Sequence, residues 1–92
     1  MNLWSKISIY LDYNNIYSVK RVLSLLEHEF NLAVSGKNRK YAHEVINMCN
    51  KIHDGLCDNF KDRENLDFLQ RSIIDKTLYF TQYLVSRLKI EF

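Results

Sequence analysis

Between Asn15 and Val34 the apolar residues Ile16, Val19, Val22, Leu23, Leu26, Phe30 and Ala33 recur three and four positions apart. At about 100° per residue that spacing gathers them on one face, and it predicts a helix. Asn15 stands before the first of them as an N-cap, and Gly36 stands past the last turn, where a left-handed residue is expected. Leu25 and Leu32 fall off the stripe, one heptad apart, and suggest a second contact surface. A further helix is predicted from about Asn38 to Asp54, with Ala42, Val45, Cys49, Ile52 and Leu56 as its seam. Tyr41 and Met48 widen that seam on one side, and Ile46 and Cys57 on the other. An apolar arc of that width places the helix between two neighbours. Gly55 is the expected break, with fraying toward Phe60. The last helix is expected to open at Asp62, an N-cap with Glu64 in the first turn where the helix dipole favours an anion. Its seam reads Leu66, Leu69, Ile73, Phe80, Leu84 and Leu88, supported by Ile74, Leu78 and Val85.

The two ends of the chain read two ways. Over residues 5–12, alternation puts Ile7, Ile9 and Leu11 on one side and Lys6, Ser8 and Tyr10 on the other, the pattern of a half-buried strand. Helical spacing instead aligns Trp4, Ile7 and Leu11, and this reading is favoured because the chain carries almost no other strand signal. The ending "VSRLKIEF" alternates Leu88, Ile90 and Phe92 against Arg87, Lys89 and Glu91, so residues 87–92 are open to the same two readings.

Composition sharpens the architecture. Ninety-two residues make one small domain, and the lack of proline with only two glycines leaves few places to turn sharply, which suits long helices. The expected fold is mainly α: a compact three- to four-helix antiparallel bundle over residues 1–92, with a short N-terminal segment that is either helix or strand. Alanine is scarce and Ile, Tyr and Asn are plentiful, so apolar packing has to supply most of the helical stability. No stretch approaches the roughly 20 apolar residues of a membrane span, and no charged leader precedes an apolar run. Cys49 and Cys57 lie about 12 Å apart along one helix, too far for a disulfide within it. Two reduced thiols point to the cytoplasm.

Catalytic chemistry is not evident. His53 sits one turn from both Cys49 and Cys57, but those two are two turns apart and cannot both reach one tetrahedral zinc on a straight helix. The thiols read as small core hydrophobes, and no metal or cofactor is expected. No nucleophile stands near a histidine and an acid in a recognised order, and there is no glycine-rich phosphate loop. The chain therefore reads as a non-enzyme with no evident small-molecule substrate. Two features suggest contact instead. Lys37, Arg39 and Lys40 crowd a helix start that already carries partial positive charge, an arrangement relieved by an anion or an acidic partner. Phe68, Tyr79 and Tyr83 fall opposite the seam of the last helix, together with Ser72 and Ile90, where they either pack under the N-terminal segment or meet another chain.

With "KISIYLD" taken as a strand, the order of strand, helix, glycine-containing turn and helix resembles the ribbon-helix-helix DNA-binding regulators over the first ~55 residues. That resemblance implies a dimer whose strands pair antiparallel, with Lys6, Ser8 and Tyr10 toward the bases and Ile7, Ile9 and Leu11 in the dimer core. It also implies phosphate held by the backbone from Gly36 to Arg39. The first helix is longer than that family's pattern, and Tyr10 is a bulky base reader. The expected function is thus binding of another macromolecule, through Phe68, Tyr79, Tyr83, Leu25 and Leu32 toward a protein or a second copy of the chain. The alternative is a DNA-binding dimer using Lys6, Lys37, Arg39 and Lys40. A net charge of +2 neither announces nor excludes nucleic acid.

Overall fold

The computed structural model describes residues 3–61 and 65–92, and every regular element among them is helical: α1 (Leu3–Ser8), α2 (Ile16–Gly36), α3 (Arg39–Asn59) and α4 (Phe68–Glu91). The ambiguous N-terminal segment is a helix. Leu3 and Ile7 are buried one turn apart, while Ile9, which a strand would have buried with Ile7, is exposed. The strand premise of the ribbon reading therefore does not hold. The C-terminal residues likewise stay helical through Glu91, with Arg87 and Glu91 3.5 Å apart at a one-turn spacing.

Each helix begins where a side chain takes up orphan backbone donors. Asn15, in extended conformation, caps α2 by accepting from the Tyr17 amide at 3.0 Å. The connection before it is sewn by Ser18, whose Oγ donates to the Asp12 and Asn15 carbonyls and accepts from the Asp12 amide. Asn38 caps α3 through the Tyr41 amide at 3.0 Å, and Asp67 caps α4 through the Gln70 amide at 2.8 Å. The predicted cap at Asp62 and the first-turn acid Glu64 lie outside the described residues. Residues 65–67 are not α-helical, so the long last helix starts at Phe68, later than its apolar pattern suggested.

The end of α2 differs from expectation by one residue. Gly36 stays helical, and Lys37 takes the left-handed conformation at φ 48°, ψ 40°. The Lys37 amide bonds to the Val34 carbonyl and the Asn38 amide to the Ala33 carbonyl, the paired closure of a Schellman motif. Asn38 must cap α3 at once, which fixes the reversal at Lys37 at a cost of about 1 kcal/mol for a side chain in that region. Ala33 and Ala42, the chain's two alanines, are both buried on either side of this two-residue turn. Small side chains there let the two helices converge on so short a link.

Gly55 does not break α3. The helix runs on to Asn59, and a Cβ at Gly55 would fall on the Tyr13 hydroxyl, so the bare backbone is the seat for the Tyr13 ring. Tyr13 thereby holds the α1–α2 connection against the far end of α3.

The three long helices pack pairwise, α3 and α4 each against both others, and α1 rests on α3 over its groove with α2. The core gathers Val19, Val22, Leu26 and Ala33 from α2, Ala42, Val45, Met48, Cys49, Ile52 and Leu56 from α3, and Leu84 and Leu88 from α4, closed by Leu3 and Ile7. Trp4 covers its edge with Lys51 Nζ 5.3 Å from the ring centroid. The buried face of α4 is Ile74, Thr77, Thr81, Leu84 and Leu88, rotated from the predicted seam. Leu69 is more than half exposed, and Ile73 and Phe80 sit half-buried at the margin. The two threonines were invisible to an apolar count. They are tolerated inside because Thr77 Oγ1 donates to the Ile73 carbonyl at 2.8 Å and Thr81 Oγ1 to the Leu78 carbonyl at 2.9 Å, leaving methyl groups toward the core.

Gly55→Ala is expected to destabilise the protein, because displacing the Tyr13 ring outweighs the gain of up to about 1 kcal/mol that alanine gives a helix interior. In a Tyr13→Ala background the same change is expected to stabilise it. Urea unfolding of the four proteins reads this reversal of sign, and one sign in both backgrounds would refute the contact.

Candidate functional site

Because the buried face of α4 is centred on Thr77, Thr81 and Leu88, the opposite face points straight out. On it stand Phe68, Leu69, Tyr79, Tyr83 and Ile90, exposed by 81%, 55%, 74%, 45% and 79%. With Ser72, Lys76 and Ser86 they form a continuous stripe at alternating spacings of three and four: Leu69, Ser72, Lys76, Tyr79, Tyr83, Ser86, Ile90. The Tyr83 ring stacks on Phe80, centroids 6.2 Å apart, which ties it to the margin of the core. α1 lies over α2 and α3 and leaves Phe68, Tyr79 and Tyr83 uncovered. Of the two alternatives for these aromatics, packing beneath the N-terminal segment is not realised.

Leu25 and Leu32 do not join that stripe. Leu25 is half-buried in the groove where α1 meets α2, beside Ile7, Tyr10 and Glu29, and Leu32 is exposed one heptad further along α2. Lys6 lines the same groove. It stands about 12 Å along α2 from the Lys37 turn, counted from Glu29, and is separate from the basic residues there.

Lys37, Arg39 and Lys40 are all exposed at the α2–α3 turn. The antiparallel run of α4 brings a fourth cation to them: Lys89 lines a cleft with Arg39, His43, Ala42, Ile46, Leu88 and Phe92. Sequence reading missed Lys89, since only the topology puts the end of α4 beside the start of α3. The charges of α3 run against its dipole, with Arg39 and Lys40 in the first turn and no basic residue in the last, where Asp58 stands with Asp54 one turn before it.

The Cys49, His53 and Cys57 constellation divides. Cys49 is fully buried, while Cys57 stays at the half-exposed edge with Sγ 3.9 Å from His53 Nδ1. His53 Nδ1 lies 3.6 Å from Asp54, and its Nε2 meets the Gln82 amide at 3.0 Å, so the imidazole bridges α3 to α4. Among the described residues no three His, Cys, Asp or Glu side chains gather as a metal site, and no helix is long and apolar enough to cross a membrane. Both cysteines are free. Burial pushes the Cys49 thiol from 9.0 up to about 12, so it stays protonated and inert. Tyr13 is also raised, first by burial and then by the nearby Asp58 carboxylate.

A comparison with family models, with curated proteins and with solved structures finds no match for this chain.

The geometry of the two thiols sets a prediction. A thiol reagent at pH 8 is expected to label Cys57 in the folded protein and Cys49 only on unfolding. Because the folded state favours the protonated Cys49, the stability it contributes is complete below pH 9 and is lost as pH rises toward about 12. The loss approaches about 1.4 kcal/mol per pH unit in that window. Denaturant titrations should show a shallower alkaline slope in Cys49→Ala, and an unchanged slope would contradict the assignment.

Proposed function

We propose that this chain is a small non-enzymatic interaction module that engages another protein through the outward face of α4. The observation that carries this reading is the length of the stripe: three aromatics and two aliphatics stay in water along a helix whose other face is already buried. Aromatic side chains bury large areas with little rotamer entropy to lose, which makes them the usual anchors of protein contacts. The two free thiols suit a reducing cytoplasm. Tyr79→Asp and Phe68→Asp are expected to abolish capture of the partner in an affinity pull-down while circular dichroism stays helical. Undiminished capture by both variants would exclude this face.

A second reading has its own observation. Lys37, Arg39, Lys40 and Lys89 converge at one end of the bundle with the dipole of α3 adding to their field, a setting that favours a polyanion such as nucleic acid. This reading uses no ribbon and leaves Lys6 aside. It requires duplex binding that weakens with salt, and Arg39→Ala and Lys89→Ala are each expected to reduce the salt slope by about 1. No retardation of duplex at low salt would remove it.

A further inference from the structure

Between the first two turns of α3 and the end of α4 lies a cleft of about 250 Å³. Burial orders its lining by depth. Ala42 and Leu88 are buried and form the floor, Ile46 and Phe92 are half-buried and form the walls, and Arg39, His43 and Lys89 stand exposed at the mouth. The α3 contributors recur at i, i+3, i+4 and i+7, one stripe of the helix, so the cleft is set in regular secondary structure and not in a loop.

The mouth has a one-sided chemistry. Arg39 and Lys89 carry donors only, and either tautomer of a neutral His43 keeps one N–H. No acid lines the cleft, and among the described residues none of these three side chains makes an ion pair. Glu91, two residues past Lys89, reaches back to Arg87 at 3.5 Å instead. The dipole of α3 adds to the same positive field. Below the mouth the side chains of the floor and walls are wholly apolar.

That combination selects an occupant. The sugars and phosphates of a polyanion would leave the apolar floor wet. A peptide would bring amide donors to a lining whose side chains offer at most one acceptor, the second nitrogen of His43. An organic monoanion satisfies both halves, with an acceptor-only carboxylate between Arg39 and Lys89 and an apolar body over Ala42 and Leu88. Size agrees, because a cavity of about 150 Å³ takes a benzene-sized guest and the larger cleft has room for roughly eight carbons.

We propose that the α3–α4 cleft is a binding site for a small amphiphilic carboxylate, held at its head by Arg39 and Lys89 and at its body by Ala42, Ile46, Leu88 and Phe92. The inference is independent of the outward face of α4 and gives the basic end of the bundle a small-molecule ligand.

Heteronuclear NMR titration of the full chain tests it, with octanoate as the probe and octan-1-ol, acetate and inorganic phosphate as comparisons. Octanoate is expected to give saturable amide shifts centred on His43, Ile46 and Lys89, and to bind about tenfold or more tighter than each of the other three. Lengthening the acid from butanoate to octanoate is expected to tighten binding by roughly threefold per methylene. Arg39→Gln and Lys89→Gln, both at exposed positions, are each expected to weaken octanoate about tenfold and to leave octanol within about twofold. Joining Arg39→Glu to Lys89→Glu is expected to turn the preference from octanoate to octylammonium, and an acid at position 39 suits the first turn of α3, so the fold is retained. Equal binding of octanol and octanoate would make the cleft a plain apolar hollow and overturn the proposal. Inorganic phosphate or acetate matching octanoate would reduce it to a plain anion site and overturn it equally. Shifts centred outside the cleft, or octanoate binding unmoved by both glutamine variants, would do the same.

Discussion

The seating of α4 in the groove between α2 and α3 decides what the rest of the molecule can do. None of the three long helices is strong by itself, because β-branched, aromatic and amide side chains fill positions where alanine would favour a helix, and each is held by burying its face against the other two. Rotating α4 by even one residue would expose Leu84 or Leu88. The buried set of Ile74, Thr77, Thr81, Leu84 and Leu88 therefore fixes which residues face out. The aromatic stripe is presented because the opposite face is so fully committed.

Much of this was legible before any coordinates. The seams of α2 and α3 came from simple periodicity, Asn15 is the cap it was read to be, and the alignment of Trp4, Ile7 and Leu11 favoured the helix that the first segment forms. The exposure of Phe68, Tyr79 and Tyr83 was visible as aromatics lying opposite leucines. What the sequence hid has physical causes. Thr77 and Thr81 satisfy their hydroxyls within their own helix, and a polar letter then behaves as an apolar one. Gly55 looked like a breaker because its contact, Tyr13, lies forty-two positions away in the chain. Gly36 looked like the left-handed residue, but the demand of Asn38 to cap the next helix moved that conformation to Lys37. Leu69 was assigned inward by spacing, but the buried face of α4 is turned toward Ile74, Thr77 and Thr81 and leaves it outside.

The basic end presents a different kind of information. A helix that puts Arg39 and Lys40 at its N-terminus and Asp54 and Asp58 near its C-terminus gives up the favourable charge–dipole terms, each typically 0.3–1 kcal/mol, that the reverse placement would bring. Stability alone does not select such an arrangement. It does put Arg39 and Lys89 in one cleft whose lining holds no acid, so the start of α3 and the end of α4 share a positive field.

The ring of Tyr13 on Gly55 has a consequence for how the chain breathes. A helix of six residues such as α1 has no standing of its own in water, and its opening would ordinarily be independent of the bundle beneath. Here the connection that follows α1 is anchored to the last turns of α3, so peeling of the N-terminus is arrested at residue 13 unless that end of α3 loosens as well. Two segments remote in sequence thus share one local opening event, and amide protons near Leu56 and those of the α1–α2 connection belong to a single exchange unit.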